Sequence, residues 1–577
     1  PLIQTDWQEQ VLSREVVPNT AMPVDIDEDG DLDLLVVANE KLVVLDNEGG
    51  NLNHWIKVRL CAEPDPMFKV QRSNVHGVGA RVDLRSASGF QSQQGDGRVV
   101  HFGVGKSEGA EAVRVLWTNG IPQNILSPKP RLTFTEKQEL LKGSCPYLYT
   151  WTGEKYEFFT DLLWAAPIGL QFGEGLIAPT RDWEYLLIPG DRLVPVDGQY
   201  RMQITEELWE AAYFDQVQLI ALDHPEGTVV FSNEKVGPPS VSQYQVHSFR
   251  QEALRPVVRA VGSNGDDLGE VLRERDGVFT KLFDRRHKQG LVEEYYVELE
   301  LGDLAGAESV HLVMTGWMFP TDTSINIALS QNSELQGPRP PYLSMPRADA
   351  VTGETWEEVV PNMGFPGGKT KTIVVKIPVD EFEKDDFRLR MSTSMELYWD
   401  QILVAVDAEA ALPVFQNANL SKADLHYRGF SARLPRLNNG PERYDYDQVK
   451  TEVLWPPMAG SFTRFGETTD LLTQQDNQLV VLGGGDEMTV LFDELPPVRE
   501  GWTRDFLIHS IGWDKDADLN TITGYQVEPL PFVGMQQYPP VDDRTVEAVD
   551  TPEYRLYLEQ YQTREFDRGN FWNLMRN

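Results

Sequence analysis

Cysteine is nearly missing from this chain: Cys61 and Cys145 are the only two in 577 residues. They form no CxxC pair, which excludes zinc-ribbon and thioredoxin chemistry. A disulfide between them is allowed only if the fold brings their Cα atoms within roughly 7 Å. Positive charge is also scarce, with 52 Lys and Arg against 89 Asp and Glu and a formal net charge of -37. Phosphate recognition needs clustered Lys and Arg, so nucleic acid and anionic membrane surfaces are poor partners. No apolar run reaches the roughly 18 residues that would span a bilayer. The amino end carries no charged, apolar and small-residue signal pattern, so an export signal is expected to have been removed or to lie upstream.

The familiar catalytic signatures are missing too. There is no HExxH, no GxSxG elbow, no Walker loop and no Rossmann glycine pattern after a suitable strand. Gly483 to Gly485 is followed by no Gly-Lys-Ser or Gly-Lys-Thr and reads as a hairpin turn between Leu479–Leu482 and Met488–Phe492. Carboxylate pairs cannot nominate a glycosidase in a chain with 89 acids. No catalytic and no cofactor-binding residue is therefore assigned beyond metal ligands.

What is present is a folded composition, 41% hydrophobic and 10% aromatic, long enough for three to five cores. Acid is densest at Asp25-Ile26-Asp27-Glu28-Asp29-Gly30-Asp31-Leu32-Asp33. Alternating carboxylates, a glycine at the sixth place and an aspartate at the ninth let a tight loop fold its oxygens around a hard cation, with calcium the expected guest. Asp25, Asp27 and Asp29 would approach through side chains and Asp31 through its carbonyl, while Asp33 would close the shell and Gly30 permit the bend. An EF-hand wants Glu at the twelfth place, which here is Val36. The alternate spacing recurs at Asp514, Asp516, Asp518 and Asn520, a second calcium candidate, but Leu519 and Ile522 replace the glycine and the closing acid.

The loop leads into strands at Leu34–Ala38 and Leu42–Leu45 joined by a turn at Asn39 and Glu40. Through DIDEDGDLDLLV it resembles one FG-GAP/VCBS repeat, the blade unit of integrin-type β-propellers. One blade cannot close a propeller, since neighbours must cover its faces. Further on, Asn53 to Leu60, then Ser73, Asn74, Gly77 to Val82, His101 to Gly105, and Val113, Val115, Trp117, Asn119 and Gly120 resemble the ASPIC/UnbV domain of proteins related to the cartilage acidic protein. That resemblance implies an extracellular segment with no established catalytic residues. The same residues predict short antiparallel strands with a core of Trp55, Val58, Leu60, Val82, Leu84, Val99, Phe102, Val113, Val115 and Trp117. His54, His76 and His101 have no zinc spacing and are expected to be structural.

The expected architecture is mostly β and multidomain: a terminal FG-GAP/VCBS-like blade at 1–50, an ASPIC/UnbV-like β-domain at 51–140 and an aromatic-rich β-domain at 141–236. A linker at 237–290, a galactose-binding-like β-sandwich or jelly roll at 291–410 and an acidic, loop-rich region at 411–577 would follow. Within these, Glu206 to Tyr213 reads as a short helix or irregular strand, and Pro552 to Met575 has helix-compatible spacing. The leading expectation is a noncatalytic, calcium-stabilised, extracellular or cell-surface adhesion or scaffold protein with a protein partner or self-assembly. Its alternatives are a carbohydrate-binding or carbohydrate-processing protein that takes a glycan, and an accessory subunit of an extracellular assembly.

Overall fold

The structure, a computed structural model, describes residues 19–38, 40–62, 74–138, 146–283, 285–349, 351, 353–383, 385–453, 455, 457–540 and 550–567. Cys145, Ser73, Asn39, the first part of the blade at 1–18 and the end of the terminal segment at 568–575 lie outside these residues. The chain is mostly β, with several sheets in two compact units; the described residues of 19–138 belong to the first and those of 146–567 to the second.

The first unit begins with three antiparallel strands, β1 (Thr20–Val24), β2 (Asp33–Ala38) and β3 (Lys41–Leu45), with β2 in the centre. Register pairs Leu35 with both Met22 and Val44, and Val37 with Leu42. Because side chains alternate across a strand, these five apolar residues share one face. Met22, Val37, Leu42 and Val44 on it are exposed, while Val36 and Ala38 on the other face are buried.

Seven further strands complete the unit: β4 (His54–Cys61), β5 (Arg81–Ser86), β6 (Gly89–Gln94), β7 (Val100–Gly105), β8 (Ala112–Leu116), β9 (Pro122–Leu126) and β10 (Leu132–Lys137). They form a β10-β4-β7 sheet and a β6-β5-β8-β9 sheet, and β4 and β10 run parallel. Ile56, Val58, Leu60, Val82, Leu84, Phe102, Val113, Val115 and Trp117 share one core. Trp55 and Val99 depart from the expected list, being only half-buried outside that core. Strand alternation explains both: Ile56, Val58 and Leu60 take the inner positions of β4, so Trp55 and Lys57 project from the other face, toward the acidic loop, and Val99 sits one step out of phase with inner Val100, Phe102 and Val104 of β7.

In the second unit, sequence-distant segments share sheets. A six-stranded sheet runs in the order Tyr156–Asp161, Tyr147–Trp151, Gln199–Thr205, Asp486–Asp493, Leu420–Tyr427, Gly466–Glu467. A five-stranded one centres on Glu210–Pro225 and Trp502–Asp516, which pair antiparallel along nearly their whole length. Leu148, Met202, Ile204, Leu425, Met488 and Val490 of the first sheet share a core with Phe214, Leu219, Leu482 and Ile508 of the second. Glu210 thus begins a 16-residue strand where a short helix was also open. The stretch 411–577 contributes long strands, because its apolar residues are spent on partners from 147–225.

A second core in this unit is lined by two more sheets, one with Val310–Met318, Lys371–Ile377 and Leu397–Val406, the other with Leu291–Glu300, Tyr342–Asp349 and Arg388–Met395. The stretch 237–290, expected as a connection, joins both: Leu254–Pro256 pairs with Leu397–Val406, and Arg259–Gly262 with Leu291–Glu300.

The triple glycine forms no hairpin. Val480–Gly483 pairs with Ala211–Phe214, whereas Asp486–Asp493 pairs with Gln199–Thr205 and Leu420–Tyr427, so the glycines pass the chain from one sheet to the other. The crossing is tight: a Cβ on Gly485, at φ +91°, would sit 2.4 Å from the Tyr427 ring.

The carboxyl-terminal helix, Pro552–Tyr561, is capped by the Thr551 hydroxyl and anchored by Tyr557. The buried Tyr557 hydroxyl donates to Leu479 O at 2.8 Å and accepts from Leu479 N at 2.9 Å. Tyr557→Phe leaves that N–H without its acceptor and is expected to cost about 1–3 kcal/mol in a urea unfolding curve, with faster proteolysis of 550–567.

Candidate metal centres

Two groups of acidic side chains place three oxygens within 4.8 Å of one another among the described residues. Both are capable in principle of coordinating a metal ion.

The first is Asp25, Asp27 and Asp29. Local hydrogen bonds shape the loop: Gly30 N donates to Asp25 Oδ2 at 2.9 Å, Asp29 N to Asp27 Oδ1 at 3.2 Å and Asp31 N to Asp29 Oδ1 at 3.1 Å. Gly30 has φ +102°, and a Cβ there would overlap the Trp55 indole, so the glycine serves both the bend and the approach of β4. Lys57 Nζ pairs with Asp25 Oδ2 and lies 4.6 Å from the Trp55 ring centroid. One ammonium therefore offsets one of three convergent carboxylates, leaving a double negative charge suited to a divalent ion. Asp25 Oδ1 is buried and accepts no hydrogen bond, an orphaned acceptor that a cation would satisfy.

Asp31 and Asp33 do not join that triangle. Asp31 Oδ2 accepts from Asn51 N at 2.9 Å, and its Oδ1 is buried without a hydrogen bond. Burial, followed by repulsion from Asp29 and Asp33, raises its pKa against the Asn51 N–H. Asp33 accepts from Ile26 N and Asn47 N, both at 2.9 Å, and these donors hold its carboxyl below the usual range. It closes the loop by bracing both chain ends. His101 and His54 are tied to carbonyls, His101 Nε2 to Gly30 O at 3.0 Å and His54 Nδ1 to Ser107 O at 2.7 Å.

The second group is Glu206, Glu210 and Asp514, all buried. Of the four residues expected to form the later loop, the structure brings only Asp514 into it. Asp514 and Asp516 lie on the strand Trp502–Asp516, and the turn after it is held by Asp518 N donating to Asp516 Oδ1 at 2.9 Å and Asn520 N to Asp518 Oδ1 at 3.1 Å. Asn520 Nδ2 is directed to Ser324 Oγ at 2.9 Å. Opposite, Ala212 pairs with Asp514 and Glu210 with Asp516, which puts Glu210 diagonal to Asp514 on one face. Glu206 arrives from the connection before Glu210, fixed by its N–H on Asp486 O and its carbonyl on Gly485 N. Burial first, then the Glu206 carboxylate, pushes Asp514 well above the usual carboxylate range.

Glu206 and Glu210 were not candidates from the sequence. Their signal is three acids at the head of an apolar run, Glu206 and Glu207 just before Leu208 to Phe214 and Glu210 within it, where burial forces each to find a partner. Glu207 finds Ser431 N and Oγ, both at 2.6 Å, on the opposite side. The partner of the other two lies some 300 positions away, which spacing alone does not reveal.

A separate cleft of about 290 Å³ is lined by Lys235, Lys376, His247, His311 and Glu409, among others. Burial lowers His247 to about 4 and Lys235 to about 8. Its described lining includes no Trp, Tyr or Phe on which a sugar ring could stack.

Residues 70–140 match the family model described as ASPIC and UnbV, a segment that holds β5 to β10. Comparison with curated proteins gave no match. No helix among the described residues is long and apolar enough to cross a membrane.

Asp33→Ala removes the acceptor of two backbone N–H groups and is expected to lower the stability of the first unit by about 1–2 kcal/mol at neutral pH in chemical denaturation. Because the folded pKa is depressed, that contribution is present above the unfolded value of about 3.9 and disappears as pH falls through the folded value. The gap between the two proteins should therefore close in acid.

Proposed function

We propose that the chain is a noncatalytic, exported or cell-surface scaffold or adhesion protein whose first unit is stabilised by calcium at Asp25, Asp27 and Asp29. The observation that carries this reading is the convergence of the three carboxylates on a glycine-bent loop, with Asp25 Oδ1 buried and unbonded. Three carboxylates partly offset by Lys57 form an oxygen-only donor set, which suits a hard cation. Asp31 would add its carbonyl and Asp33 would brace the loop. The ASPIC and UnbV match and the mostly β architecture agree with a structural role. The FG-GAP/VCBS identity of the loop and the sandwich character of the 291–410 region belong to the same proposal.

The accessory-subunit reading has its own support. Met22, Val37, Leu42 and Val44 form an exposed apolar face on a small three-stranded sheet. A propeller blade buries both faces against its neighbours, and an apolar face in water carries a cost that a partner would remove. The carbohydrate reading draws no comparable support from the cleft at His247.

Calcium should slow hydrogen exchange in β1 to β3 and raise stability by about 2.7 kcal/mol at a concentration roughly a hundredfold above Kd. The double variant Asp27→Asn, Asp29→Asn should lose both effects. Exchange in β1 to β3 that is the same in calcium and in chelator would refute the reading.

A further inference from the structure

We propose that Glu206, Glu210 and Asp514 form a second, fully internal cation site that takes a hard divalent ion of the calcium class. It lies in the second unit, and its donors are distinct from those of the acidic loop.

All three residues are buried, Glu206 at 0%, Glu210 at 5% and Asp514 at 6% exposure. One carboxylate oxygen from each lies within 4.8 Å of the others, a span that an ion with ligands at about 2.3–2.6 Å can bridge. The independent pointer is Asp514: its Oδ1 is buried and takes no hydrogen bond, although its backbone N–H and carbonyl are both satisfied, by Ala166 O and Ile168 N. A buried carboxylate oxygen left without a donor is costly, and a cation held among the three carboxylates removes that cost at Asp514. The neighbouring ammonium of Lys515 is directed elsewhere, to Gln526 O at 2.7 Å and Val527 O at 2.8 Å.

The scaffold is rigid enough to hold such a site. Glu210 and Asp514 sit on paired strands at the sheet centre, and Glu206 is clamped between Asp486 and Gly485. An oxygen-only set selects calcium, magnesium or manganese over zinc or copper. A buried ion here would tie together the ends of two strands far apart in sequence.

The test uses the whole chain carrying Asp27→Asn and Asp29→Asn, which removes the loop site from the measurement. After chelation and dialysis against calcium, bound metal is counted by inductively coupled plasma mass spectrometry. The expected result is a calcium equivalent retained in this background and lost on adding Glu210→Gln or Asp514→Asn. Calcium should also slow hydrogen exchange in Glu210–Pro225 and Trp502–Asp516 of the background protein, a readout that holds even if the added variants fail to fold. A background protein that binds no calcium and shows unchanged exchange in these strands overturns the site. So does an equivalent that survives both added substitutions.

Discussion

The second unit depends on one long antiparallel pairing, Glu210–Pro225 against Trp502–Asp516. It joins segments nearly 300 residues apart, and the strands on either side are added to it. The pairing is interrupted once, between Phe214 and Gln216, where Asp215 is the extra residue. Asp215 is buried, and its Oδ1 accepts from Asn477 N at 2.7 Å and Asp476 N at 3.2 Å; burial raises its pKa to about 6. Beside the bulge, a Cβ on Gly512 would lie 2.2 Å from Tyr213 O, so the strands close there only because that position is glycine. Everything beyond the bulge, including the register that sets Glu210 diagonal to Asp514, follows from this geometry.

Charge is the second constraint. A chain at -37 must keep most of its acid in water, yet several carboxylates here are internal. Some have a cation from the chain itself, as Asp161 has Lys371 and Asp223 has Arg504. Others are held by backbone N–H groups, as Asp33 and Glu234 are, through Ile26, Asn47, Leu187 and Thr372. The two triads stand apart by bringing three acids together, and in the loop Lys57 offsets only one.

Contiguous patterns in the sequence specify local structure directly, whereas pairings between remote segments leave no contiguous trace. The loop and the hairpin after it are legible because their pattern is contiguous: carboxylates at alternate places, Gly30 at the bend, then two short apolar runs, Leu34–Ala38 and Leu42–Leu45, a few residues apart. Trp117, Val113 and Phe102 were legible as core for the same reason. Trp55 lies one step of alternation off the inner positions Ile56, Val58 and Leu60, on the face that also carries Lys57 and Arg59, so the strand's own two-residue period places it outside that core. The triple glycine suggests a hairpin because its flanking strands are adjacent in sequence, whereas each strand pairs in a different sheet. Asp514, Asp516 and Asp518 do not converge either: Asp514 and Asp516 lie along one face of a strand, Asp518 falls in the turn after it, and the oxygens that meet Asp514 come from Glu206 and Glu210.

Calcium at the acidic loop is the central claim, and anomalous scattering tests it most directly. Crystals soaked in terbium, an oxygen-seeking stand-in for calcium, should give an anomalous peak bonded to side-chain oxygens of Asp25, Asp27 and Asp29. A map with no peak at that loop, and with Lys57 still paired to Asp25, would contradict the account.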